Sequence, residues 1–418
     1  MSKIRIKNFG PIKEGLIEND GWIDIKKVTV FIGNQGSGKS TVAKLISTFT
    51  WIEKALTRGD YDEKWFTRKN KLQNQYLTYH RIENYFSRYE KIDKTEIEYH
   101  GESYKISYKA GTLNISSVRN KPYALPQIMY VPAERNFISN VKKPKALNLT
   151  SDSLVEFVTE FDNAKNELKS PLPLPINGVE VEYNKLNDVV YIKGNDYRIK
   201  LTEASSGLQS LVPLYLVSRY LSQSVKNQSE NSKELMTSEQ RERFRKMTQI
   251  IIENQDLTNE QKRIALSQEA KKFNKTAYIN IVEEPEQNLF PSSQWQILKS
   301  LLEFNNMNQG NKLVMTTHSP YIIGFLSIAN QGAYLLNKIK NSQNQDINLN
   351  KLEKVIPIDS IVPNSDTIIY QLNENEGTIS KLPIPEGIPS DKHYLNQSLR
   401  KGNEMFDSLL SIEQELCV

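Results

Sequence analysis

Gly33-x-x-x-x-Gly38-Lys39-Ser40 has the spacing of a loop that wraps phosphate. Glycines at these places let backbone N–H groups and a helix N-terminus converge on one anion. Lys39 would reach the β- and γ-phosphates, and the Ser40 hydroxyl would hold Mg2+. Asn34, Gln35, Gly36, Ser37 and Thr41 complete the cradle. Three more apolar runs end in groups able to serve phosphoryl transfer. "YINIVEE" ends in Glu283 and Glu284, one acid for the Mg2+ shell and one to polarise an attacking water. "LVMTTH" ends in His318, and "PQIMYVPAERN" runs into Glu134 and Arg135.

Groups at four strand ends form one site more readily than four, because open α/β sheets bind ligands at the carboxyl ends of their strands. The elements that must do this are legible. "KKVTV" reads as a buried strand before the loop, and 41–57 as a helix after it. Residues 3–31 alternate and then become continuously apolar, predicting an antiparallel pair that leads into a central strand. A polar, tyrosine-rich helix is expected over 69–90, a meander over 95–116, a helix over 151–168 and short strands over 178–201. Residues 224–275 read as an inserted helical hairpin, with helices 238–254 and 259–273 opened by Thr237-x-x-Gln240 and Thr258-x-x-Gln261. The tail predicts a hairpin, "TIIYQLNENEGTISKL", and two short helices. The histidines at 80, 100 and 393 sit in polar surroundings and read as surface residues.

Composition sets the outer limits. The chain has 418 residues, 38% hydrophobic and 25% charged, and a net charge of +5. That is compatible with nucleic acid without requiring it. No run of 18 apolar residues and no apolar leader segment occurs, and Cys417 is the single cysteine. A cytoplasmic protein with no membrane span, disulfide or cysteine-rich metal site is expected.

"SSGLQS", Ser205 to Ser210, opens an apolar helix. Taken in order with "IKNFGPIKE" (6–14), "GNQGSGKST" (33–41), "YVPAERN" (130–136), "EEPEQNLFP" (283–291) and "TTHSP" (316–320), it resembles the ABC-type ATPases of the OLD, RecF and SMC-like branch. The resemblance spans about residues 1–340. It implies an α/β head with a P-loop core sheet, an antiparallel β subdomain and helical insertions, interrupted by a helix and hairpin region at 42–125, a helical and strand subdomain at 137–200 and a helical hairpin insertion at 224–275. Residues 341–418 would complete the head. It also implies ATP and Mg2+ as cofactors and hydrolysis at an interface between two heads. Ser205, Ser206, Gly207 and Gln209 would face the γ-phosphate of the partner's nucleotide. Glu284 would be the general base, with Glu283 and Ser40 on the metal. Glu286 to Asn288 would cross the dimer, and His318 would be the switch histidine. Two departures stand out: Glu283 replaces the usual Asp, and "PAERN" stands where a Q-loop glutamine belongs. The branch further suggests a homodimer, or a higher oligomer, that serves anti-phage defence with a separate protein effector. DNA binding of the RecF kind and a scaffold with negligible turnover are the alternatives. The basic, aromatic stretch 65–91 is the candidate DNA contact. The acids after His318, such as Asp359, Asp366 and Asp391, lack the TOPRIM nuclease pattern.

Overall fold

The computed structural model describes the chain except residues 87, 90–91, 119–122, 142–148, 150, 231–237, 255–261, 263–265, 267–274, 341–343, 386–388, 390–391 and 417–418. Its centre is a seven-stranded mixed sheet. The order is Pro126–Val131, Ala277–Glu283, Lys312–Thr317, Val28–Gly33, Thr367–Asn373, Thr378–Lys381 and Gly15–Leu16. The first five strands are mutually parallel. They read as continuous apolar runs because both faces are covered. Val28, Val30 and Ile32 pack with the helices Ser206–Glu230, Pro291–Asn306 and Pro320–Ile339. Phe31 packs on the other side with the helix Lys39–Arg58 and an antiparallel sheet. That five-stranded sheet runs Ile23–Asp24, Lys3–Lys7, Glu96–His100, Tyr104–Lys109 and Thr112–Ser117. This is the expected α/β architecture.

Register gathers the functional ends along one edge. Val131 pairs with Val282, Glu283 with Thr316, and Thr317 with Ile32. The residues that follow therefore emerge side by side. A second antiparallel sheet, Leu172 to Lys200, follows the helix Asp152–Asn166.

Several expectations need correction. Over 69–90 there is no regular α-helix, but a single π-turn, Leu72–Leu77, running into the 3-10 turn Thr78–His80. Tertiary burial overrides the polar sequence here: Phe66, Leu72, Tyr76 and Leu77 enter the core. His80 and His393 are each 2% exposed and are not surface residues. His80 is held against the rings of Tyr79 and Tyr130, contacts its neighbouring sequence does not announce. The helix opened by Ser206 runs on to Glu230, past the predicted start of the insertion, in spite of Pro213 inside it. Of the hairpin, Ser238–Glu253 is helical, while 259–273 falls almost wholly outside the described residues. The tail forms one 23-residue helix, Tyr394–Leu416, in place of two short terminal ones. The strand Thr367–Asn373 is no appendage; it pairs directly with the phosphate-loop strand. No helix among the described residues is long and apolar enough to cross a membrane.

Candidate nucleotide site

The loop after Val28–Gly33 turns into its helix through Gly38, whose φ of 99° is a left-handed value that suits glycine. Asn34, Gln35 and Gly36 are exposed; Ser37, Lys39 and Thr41 are buried, and Ser40 is half-buried. The Lys39 ammonium donates to the carbonyls of Gly33 (2.9 Å) and Asn34 (2.8 Å), folding back over its own loop. Removal from water pushes its pKa down to about 8, against the opposing pull of Glu284, Glu286, Glu283 and Glu374. The Ser37 hydroxyl is buried without a partner. Asn34 spends its amide on the Glu374 carboxylate at 2.9 Å.

Two strands away, Glu283 is buried. One carboxylate oxygen accepts the Ala133 N–H at 3.1 Å, while Oε1 makes no close hydrogen bond and the Tyr130 hydroxyl is a polar group facing the carboxylate. An unpaired buried carboxylate oxygen near an ammonium is costly unless a cation joins it. The donor set thus fits a hard cation held through oxygen, with Ser40 and Glu283 as the available ligands.

Glu284 adopts φ 44°, a left-handed conformation that costs a residue with a side chain about 1–3 kcal/mol. It is held there from both sides. Its N–H donates to Thr316 O at 2.9 Å, and its carbonyl accepts from Arg135 Nη2 at 2.6 Å. The side chain is thereby turned toward His318, whose Nε2 lies 3.6 Å from Glu284 Oε1. Burial raises the Glu284 pKa; Glu283 and Glu134 push the same way, and Arg135 and Lys39 oppose. Burial and Lys39 lower that of His318, so the imidazole is neutral near pH 7. The His318 N–H donates to Glu286 Oε1 at 2.7 Å. The structure thus brings Lys39, Glu283, Glu284 and His318 to one edge of the sheet.

The helix that begins at Ser206 is finished differently. Ser205 and Ser206 are exposed, and Gly207 is buried. A Cβ at Gly207 would lie 2.7 Å from Asn288 O, so glycine is needed for that close approach. Gln209 turns its amide onto the carbonyls of Thr202 (3.2 Å) and Ala204 (3.0 Å) within its own chain. Asn288 reaches the Ser210 hydroxyl at 3.2 Å. Among the described residues no hydrogen bond or ion pair links Ser205 or Ser206 to the phosphate loop.

An AAA ATPase domain family matches residues 245–323, well under half of the chain, including both acids and His318 but not the phosphate loop. Several solved structures are similar. The SMC head domain from Thermotoga maritima is 12% identical, covers 91% of this chain and 98% of its own, and superposes with a TM-score of 0.35. A Smc head with an extended coiled coil, bound to the C-terminal domain of ScpA derived from Pyrococcus furiosus, is 10% identical over 98% of this chain and 100% of that one, again at 0.35. A post-hydrolysis dimer of the ATP-binding cassette MJ0796 bound to ADP and Pi is 12% identical over 92% and 99%, at 0.28. No curated protein matches.

Sequence reasoning put Arg135 at the fourth strand end of the site without fixing what it does there. It is fully buried, and all its hydrogen bonds go to backbone carbonyls: Ser210 (3.1 Å), Pro132 (3.3 Å), Glu283 (2.7 Å) and Glu284 (2.6 Å). The clue available was a polar run directly after a buried strand. The tail's part in the site was also missed. A cavity of about 360 Å3 over the phosphate loop is lined by Gly33, Asn34, His318, Glu374, Tyr394 and Lys401, among others. Only the three-dimensional path of the chain places 394–401 there.

Proposed function

We propose that this chain is an ATP-hydrolysing, dimeric ABC-type switch. The observation that carries the reading is the convergence of Lys39, Glu283, Glu284 and His318 on one sheet edge, beside a cradle whose Ser37 hydroxyl and Glu283 Oε1 make no close hydrogen bond. ATP·Mg2+ supplies the phosphoryl group and the metal charge. Lys39 would exchange the carbonyls of Gly33 and Asn34 for phosphate oxygens. Ser40 and Glu283 would hold the metal. Glu284 would accept the proton of the attacking water, and the neutral His318 beside it would orient that water. The exposed Ser205 and Ser206, with Gly207, would close the site of a second copy across a homodimer.

In this reading nucleotide state makes and breaks the pair of heads in the cytoplasm, and a separate protein effector responds. The anti-phage role rests on the motif resemblance. In the candidate DNA-contact stretch 65–91, part of the aromatic and basic character is engaged within the chain. Trp65 donates to the Tyr76 hydroxyl at 3.0 Å and is covered by Lys71 (3.8 Å) and Arg68 (4.4 Å), so these aromatics and cations serve one another. Steady-state hydrolysis and light scattering, each with and without ATP·Mg2+, test the proposal. Turnover with a dimer that appears on ATP addition is expected. A monomer that never hydrolyses ATP would refute it.

A further inference from the structure

Arg135 joins three segments of one chain. Nε holds the helix through Ser210 O, Nη1 holds its own strand end through Pro132 O and the acid strand through Glu283 O, and Nη2 holds Glu284 O. The same helix is fastened at neighbouring points. Pro213 has no N–H for the Gln209 carbonyl four residues back, and that carbonyl instead accepts the Ser139 hydroxyl at 3.1 Å. Asn288, four residues past the acid pair, reaches Ser210, and the backbone of Asn288 closes over Gly207. The exposed serines and the strained Glu284 therefore sit on opposite sides of one hydrogen-bonded block. Its central member is a planar fork whose donors point in fixed directions.

We propose that Arg135 is a positioning residue that makes the Ser205–Ser210 helix start and the Glu284 backbone move as one unit. Engagement of the serines by a second copy would then set the base of this copy's own site. Resting on the proposed dimeric reading, this adds to it a route within each chain by which one composite site informs the other. A fully buried guanidinium that, among the described residues, is hydrogen-bonded only to backbone carbonyls, with Glu286, Glu284 and Glu283 near enough to favour its charge but not bonded to it, is poorly explained as a contribution to stability alone, since desolvating it costs free energy that these groups only partly return. It is well explained as a joint, because each of its three segments carries a different part of the site.

The test uses the full chain. Arg135→Lys keeps the charge and loses the fork. The expected result is nucleotide affinity and KM within about twofold of wild type, with kcat lower by about tenfold or more, since only the placement of the base is disturbed. A purely structural role would lower the melting temperature and reduce affinity and kcat together. Hydrogen exchange of the wild type supplies a measurement that needs no variant. On addition of ATP·Mg2+, the amides of 206–212 and of 283–287 should gain protection together, and in Arg135→Lys only the first group should respond. Independent responses of the two segments in the wild type, or a folded Arg135→Lys with wild-type kcat, would overturn the proposal. A wild type with no hydrolysis and no ATP-dependent dimer would instead overturn the switch reading beneath it.

Discussion

The phosphate loop and the serine-opened helix are both helix N-termini, yet they are completed in opposite ways. The first is closed from within: its lysine is buried and bonded to its own loop. The second has two exposed serines in front and dense fastening behind, from Arg135, Ser139, Gln209 and Asn288. The difference teaches that helix ends of similar dipole can take unlike tasks. One supplies charge to a ligand the chain holds alone. The other offers an uncharged polar end to something brought from outside, and reports it inward.

The largest effect that sharpens this contrast belongs to neither helix but to the base between them. Glu284→Gln should keep nucleotide and lower kcat by about 100- to 10,000-fold, because an amide cannot accept the water's proton. A long-lived ATP-dependent dimer by light scattering should accompany it; an unchanged rate would move the base to another acid. Next, Lys39→Ala should weaken ATP binding by about 100-fold, through loss of charge-assisted hydrogen bonds worth about 1.5–3 kcal/mol each. Isothermal titration reads this directly, and near-wild-type affinity would mean that the loop does not hold phosphate.

Gly207→Asp should do the reverse, sparing affinity within about twofold while hydrolysis falls by about tenfold or more. Here two causes act together: a side chain in front of the serines, and a Cβ 2.7 Å from Asn288 O behind them. Gly207→Ala separates them, since it keeps the rear contact and adds no charge in front. Mixing Lys39→Ala with Gly207→Asp chains should restore one site per heterodimer. Activity no higher than either parent, with heterodimers present, would break the idea that the two helix ends meet across subunits.

The smallest effect is a proton. Lys39 titrates at about 8 in the free protein, and phosphate would restore it toward its ordinary value. Binding should therefore take up about half a proton per site at pH 8 and about a tenth at pH 7. Titrations in buffers of different ionisation enthalpy measure this. Proton release, or no pH dependence, would show that Lys39 does not change partners.

Much of this site was legible because its parts are local. A glycine-rich turn between strand and helix, acids closing "YINIV" and a histidine closing "LVMTT" each announce themselves within ten residues, and parallel register brings them together. What escaped detection is set by distance in the chain. Arg135 acquires its role only when Ser210 and Glu284, 75 and 149 residues away, fold around it. His80 looks polar in sequence and is buried because Tyr130 packs on it. The strand Thr367–Asn373 read as half of a tail hairpin, since nothing in its composition says that it will lie against Val28–Gly33.

The tail helix carries one further consequence. Tyr394–Leu416 begins at the mouth of the phosphate loop, where the Tyr394 N–H donates to Gln371 at 3.1 Å. At 1.5 Å per residue its 23 residues make a rod of about 35 Å, so a tilt of about 10° at the root sweeps the far end through about 6 Å. Small movements around bound nucleotide at the root of this helix would thus appear at its far end as displacements of several ångström.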